Sequence, residues 1–241
     1  MKFKKFLKYI AFLLLIGSLG FLYSFSTTRN QQKKVGEPVI EFEAGDNNFL
    51  THSMVNKLLI QNDTTVKNQA KSMLDLYGLE NMVLKNPYVK NASVFLTIDG
   101  TLKSIVKQRT PIARIINNSA SYYIDKQGVK VPLSNNYSAR VMLISGIKKD
   151  EEIKEILPLI SYIIEDDFLY KEVVGMQKLE GDEYQFSVRS GNYKINFGNL
   201  SKMDTKFIKL KAFYNKTFED KTIQNYKTIN VKYHNQVVCT K

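Results

Sequence analysis

Residues 84–108 read LKNPYVKNASVFLTIDGTLKSIVKQ, and the punctuation of this stretch decides the fold. A helical pattern from Tyr77 to Lys85 stops at Asn86-Pro87. Proline has no N–H to continue a helix and disfavours helical backbone in the residue before it. Val89–Ile98 and Leu102–Gln108 then read as two strands joined at Asp99-Gly100. That dipeptide favours a type I′ hairpin, because glycine accepts positive φ. Upstream, Thr51 or Ser53 is placed to cap a helix with Leu50, Met54, Val55, Leu58 and Leu59 at helical spacing. Pro38–Phe42 alternates as a short strand. The order is strand, helix, helix, hairpin, with Pro111 closing it.

The N-terminal side carries most of the charge imbalance. The chain has 241 residues and a net charge of +12, from 35 Lys and Arg against 23 Asp and Glu. Seven of the cations (Lys2, Lys4, Lys5, Lys8, Arg29, Lys33 and Lys34) fall within residues 1–36, which contain no acid. Between the two basic groups lies Tyr9–Phe25, YIAFLLLIGSLGFLYSF, without a charge. A helix of that length spans about 25 Å, just short of the ~30 Å hydrocarbon core. Lys8 can extend it by snorkelling, with Tyr9 and Tyr23 at the headgroup boundaries. An uncleaved anchor and a cleaved signal peptide share this pattern, but the run is long for a signal and no A-x-A site follows. An anchor with its N-terminus in the cytoplasm is the expectation. The remaining +5 is scattered singly, which argues against a nucleic-acid interface.

Downstream of Pro111 the chain is richer in strands. Tyr122–Ile124 and Val129–Leu133 flank a turn at Asp125–Gly128, and Val141–Ile144 follows. A helix over Glu151–Tyr170 is expected, kinked at Pro158. Val173–Leu179, Glu183–Val188 and Tyr193–Phe197 read as a meander. One more amphipathic helix carries Met203, Phe207, Leu210 and Tyr214, and a long strand over Thr228–Val238 ends the pattern.

Catalytic constellations are scarce. Cys239 is the single cysteine, so neither a disulfide within the chain nor a cysteine-based zinc site is expected. The two histidines are His52, on the exposed side of a predicted helix, and His234, in the terminal strand. There is no phosphate-binding glycine loop and no G-x-S-x-G elbow. No catalytic residue, metal site, cofactor or small-molecule substrate is expected. The densest acidic run, Glu165-Asp166-Asp167, keeps one alternative open, a membrane-anchored envelope hydrolase using paired carboxylates. The other candidate is a surface for protein partners. In the terminal strand, Ile229, Val231 and Tyr233 read as inward, with Asn230, Lys232 and His234 outward. A strand at a sheet edge offers unpaired backbone groups to a partner strand, whereas an interior strand does not.

Four short motifs in order also resemble a known family. They are Leu84–Val94 (LKNPYVKNASV), Val106–Arg114 (VKQRTPIAR), Tyr122–Asp125 with Gly128, and Tyr226–Tyr233 with Asn235–Val238. With the N-terminal anchor they are similar to the FtsQ/DivIB family of bacterial cell-division proteins, in the form found in Bacteroidetes. The resemblance implies an α+β chain. A cytoplasmic tail (1–8) leads to a transmembrane helix (9–25) set in lipid, and a linker (26–36) joins that helix to a POTRA module of order β-α-α-β-β (37–115). A mixed β-rich domain with flanking helices (116–241) completes it. It further implies a non-enzymatic scaffold of the division septum that binds FtsB-like and FtsL-like membrane proteins and regulates septal peptidoglycan synthesis. The partner is expected to add a strand to the final strands, at Lys232, Tyr233, His234, Asn235, Gln236 and Val237. Gln108 departs from the glutamate that many relatives carry before the arginine of the POTRA motif.

Overall fold

Pro87 ends a helix, and a hairpin follows it, as the sequence requires. The computed structural model describes residues 2–43, 49–59, 70–117, 120–234 and 236–241. The chain folds as two compact units, the first comprising residues 1–44 and 50–108, the second residues 45–49 and 109–241.

In the first unit, helix α1 (Lys2–Gln31) is followed by strand β1 (Val39–Phe42), helix α2 (His52–Leu58), a single 3-10 turn (Lys71–Met73) and helix α3 (Leu76–Leu84). Strands β2 (Val89–Leu96) and β3 (Leu102–Gln108) complete it. The three strands form a sheet in the order β1-β3-β2, with β1 parallel to β3 and β2 antiparallel to it. Thr51, not Ser53, caps α2, its side chain accepting from the Met54 N–H, and Asp75 caps α3 by accepting from the Gly78 N–H at 2.9 Å. The helical faces meet the sheet through Val55 and Leu59, Leu79 and Val83, Val94, Leu102 and Val106. Two expectations change. The 26–36 segment is not all linker, because α1 continues unbroken to Gln31. The hairpin turn is not type I′ either: only Gly100 has positive φ, and the loop spans Thr97–Thr101 with Gly100 N–H donating to the Thr97 carbonyl.

Among the described residues the second unit is built on nine strands in one sheet. The strands are β4 (Pro111–Ile116), β5 (Ser121–Asp125), β6 (Lys130–Pro132), β7 (Met142–Ser145), β8 (Val173–Lys178), β9 (Tyr184–Val188), β10 (Lys194–Gly198), β11 (Thr228–Asn230) and β12 (Val238–Thr240). Their order across the sheet is β12-β11-β10-β9-β8-β7-β4-β5-β6. Pairs β4–β7, β7–β8 and β10–β11 are parallel, and the rest are antiparallel. Ile144, Met176, Phe186, Ile195 and Ile229 share one core with Ile153, Ile156 and Ile160 of α4 (Asp150–Glu165). Leu169 of α5 (Asp167–Glu172) and Phe207, Leu210 and Tyr214 of α6 (Met203–Glu219) join the same core. Phe207 stacks on Tyr162 at 4.5 Å between centroids and leans on Phe186 and Phe197, which seats α6 on the strands. Beneath β5, Phe49 is fully buried, its ring against Tyr123 and Tyr137.

Three sequence expectations fail here for identifiable reasons. Residues 109–115, assigned above to the first module, lie in the second unit: β4 pairs with β5 and β7, and Pro111 opens that strand, the position where a missing N–H costs a sheet least. The Glu151–Tyr170 helix is two helices, because the Asp166 carboxylate accepts from the N–H groups of Phe168 and Leu169 and starts α5. The long terminal strand is two short ones. At Asn230 the side chain accepts from Lys232 N–H, an Asx turn that takes the chain out of the ladder before β12 forms.

Candidate partner-binding edge

The end of the sheet places the predicted surface. β11 lies parallel to β10, with Ile195 opposite Ile229, and β12 returns antiparallel, with Cys239 opposite Ile229. Among the described residues β12 is therefore the edge strand, and residues 231–234 and 236–237 lie in the loop that leads to it. Val231 is fully buried, but Tyr233, expected inward, is 47% exposed, since the loop has left the pleat that would have turned it to the core. Lys232, His234 and Gln236 are exposed, and Val237 packs half-buried on the core. Asn235 lies outside the described residues.

The loop is held from beneath by side chains that pattern reading along 228–238 missed. Lys209 of α6 donates to the carbonyls of Val231 and Tyr233. Lys232 reaches both oxygens of Glu183 at 3.1 Å. Gly198, at φ +75°, lets β10 end beneath the loop, where a Cβ would stand 2.7 Å from the Cβ of Lys232. Lys206 is only 5% exposed, donates to the Asn199 carbonyl at 2.7 Å and sits 4.9 Å over the Phe197 ring. Burial pushes the ammonium groups of Lys206 and Lys209 below the usual lysine range. With Lys202, these residues follow i, i+4, i+7 spacing, a signal present in the sequence though masked by the lysine-rich background.

Lys202, Thr205, Lys206, Lys209, Lys232 and Tyr233 surround a recess of about 690 Å³, to which Glu183 adds the one carboxylate. The recess suits recognition of a polar or acidic group. Cys239, half-buried on β12, has its thiol pushed up by burial, which makes it a poor nucleophile. Among the described residues, no group of three His, Cys, Asp or Glu side chains gathers. Of the acidic run, Asp166 caps α5 and pairs with Lys211, while Glu165 and Asp167 are exposed, so no paired-carboxylate cleft forms there.

A family model described as FtsQ/DivIB, C-terminal related, matches residues 110–240, the whole sheet from β4 to this edge. The chain belongs to the FtsQ/DivIB family. A POTRA-like domain matches residues 37–107, so the two matches meet where the structure divides, at Gln108–Arg109. Cell division protein DivIB of Clostridium acetobutylicum is 29% identical over 80 residues, which cover 33% of this chain and 32% of that protein. The match thus spans about a third of that relative's length. The solved extracytoplasmic domain of DivIB from Geobacillus stearothermophilus, in its trans isomer, is 10% identical with a TM-score of 0.35, covering 48% of this chain and 98% of its own. Two of the motifs meet within the second unit. Arg109 donates to Asp125 at 2.7 Å, and the other Asp125 oxygen accepts from the N–H groups of Gln127 and Val129, closing the β5–β6 turn. α1, in turn, is long and apolar enough to cross a membrane over Phe6–Gln31.

Proposed function

We propose that this chain is a non-enzymatic, single-pass scaffold of the bacterial division machinery, acting at the septum through protein–protein contacts. Its basic N-terminus lies in the cytoplasm and both folded units outside the membrane. FtsB-like and FtsL-like membrane proteins are its partners, and through them it regulates septal peptidoglycan synthesis. The observation that carries the reading is β12: the strand order ends on it, with β11 on one side and, among the described residues, no strand on the other. Its outer backbone groups are available to a partner strand, and the lysine-lined recess beside it supplies side-chain specificity. Family membership and an apolar α1 support the setting.

Tyr233→Glu tests this directly. It places a charge on the exposed loop beside the edge without touching the core, so the fold is retained. Co-purification with an FtsB-like partner should fall at least about tenfold, the loss of one interface hot spot. Undiminished capture would overturn the assignment of the edge.

A further inference from the structure

We propose that the Thr97–Thr101 turn is a membrane-contact element. In this view Ile98 inserts among the headgroups of the leaflet from which α1 emerges, and Arg29, Lys33, Lys34 and Lys71 gather anionic phospholipid around it. The inference rests on α1 spanning the bilayer and on no partner of the C-terminal edge.

The register of the first sheet sets the geometry. β1 and β3 run parallel from Val39 opposite Lys103 to Phe42 opposite Val106, so both strands lead away from the β2–β3 turn. That turn is therefore the end of the sheet at which the chain arrives from α1. The connection is short and tied down. Lys71 N–H donates to the Lys33 carbonyl at 3.0 Å, and Gly36 N–H to the Gly100 carbonyl at 3.4 Å. Lys34 bridges to Ala70, and Val35 is buried. Lys71 Nζ then joins the helix end to the turn itself, reaching Asn30 Oδ1 at 3.5 Å and the Ile98 carbonyl at 3.3 Å.

Depth follows from helix rise. Asn30 lies five residues beyond Phe25, the last apolar residue of the span, or about 7.5 Å along the axis. The headgroup layer on each side of a bilayer is roughly 5–7 Å deep, so the turn stands at its outer margin. There Ile98 is 98% exposed, and Met73, on the neighbouring 3-10 turn, is 76% exposed. A solitary exposed isoleucine on a soluble surface needs no explanation. One fixed at the emergence point of a membrane helix, among four cations, stands where its side chain can enter the headgroup layer. Arg29, Lys33 and Lys34 make no ion pair among the described residues. Asp99, within the turn, holds the Thr101 hydroxyl at 2.8 Å. Apolar tips ringed by Lys and Arg bind anionic interfaces in this manner.

The chain has no tryptophan, so Ile98→Trp installs a single tryptophan at the tip, excited selectively over the tyrosines at long wavelength. The full-length variant is reconstituted in phosphatidylcholine vesicles with or without phosphatidylglycerol, beside a Lys90→Trp reference at the opposite end of the same sheet. The expected result is a blue-shifted emission for I98W, quenched several-fold more than K90W by lipids brominated near the headgroup and shielded from aqueous acrylamide. Equal quenching of the two variants overturns insertion. Contact should weaken several-fold without phosphatidylglycerol and in K33Q/K34Q, and indifference to both overturns the cationic half. Since tryptophan itself favours interfaces, the unsubstituted chain gives a second reading. Amide exchange over residues 97–101 should slow in anionic vesicles, and Ile98→Asp should remove that protection; unchanged exchange overturns the proposal. Release of the chain by alkaline carbonate would instead show that α1 does not span, a failure separate from these.

Discussion

Gln108 offers Leu50 both halves of its side-chain amide, accepting from the Leu50 N–H at 3.1 Å and donating to its carbonyl at 3.4 Å. A glutamate could make only the first of these bonds and would set its charge against the carbonyl. Gln108→Glu is therefore expected to cost about 1–2 kcal/mol, read as a shift in denaturation midpoint at neutral pH. In sequence this residue registered only as a departure from its relatives, because a contact across 58 positions leaves no local pattern. Glu152 is another polar anchor. Its carboxylate accepts from Lys178 Nζ at 2.8 Å and from the N–H groups of Lys148 and Lys149, which closes the start of α4. The Lys178 bond, aided by those backbone donors, pulls its pKa from 4.5 down to about 2. A carboxyl held below its unfolded value stabilises the fold above that value. The contribution of Glu152 is thus complete above about pH 4.5 and disappears as the pH falls towards 2. Glu152→Gln should be less stable at neutral pH and should show a flatter loss of stability across that window in acid-unfolding curves.

Elements were legible wherever one periodicity ran uninterrupted. α3, the β2–β3 hairpin and the β8–β9–β10 meander appear within a residue or two of the positions their apolar spacing predicts, and α6 carries the four apolar residues read as its buried face. What periodicity does not report is where backbone hydrogen bonding switches partner. The apolar phase of α4 continues into α5, so the pattern reads as one helix although the Asp166 carboxylate has already taken the next two free N–H groups. Asp166→Ala removes that cap and the Lys211 pair together, and should cost about 1–2 kcal/mol by denaturant titration, with Asp166→Asn restoring most of the capping part. The terminal strand failed in the same manner: alternation from Thr228 onward is genuine, but the Asn230 side chain ends the ladder after three residues. The proposed site could be named from the sequence as a segment, 232–237, while the side chains that converge on it, Lys206, Lys209 and Glu183 with Gly198, come from elements that only the fold brings together.

Across the whole molecule the charge excess divides as the sequence indicated: seven cations bracket the apolar face of α1, and the remainder is dispersed over two units that each possess a core. The parallel pairing of β1 with β3 adds a constraint in time. Val39 meets Lys103, so the first strand of the small sheet must wait for its partner across roughly sixty residues, whereas β2 finds β3 across a five-residue loop. Local closure is fast and distant closure slow, and a chain delivered from its N-terminus presents β1 long before β3 exists. Pulse-labelled amide exchange during refolding should find β2 and β3 protected well before β1; simultaneous protection of all three would mean a single concerted closure. During synthesis, then, the segment emerging next to the membrane helix stays an open strand, a substrate for chaperones and proteases, until Gln108 has followed it out.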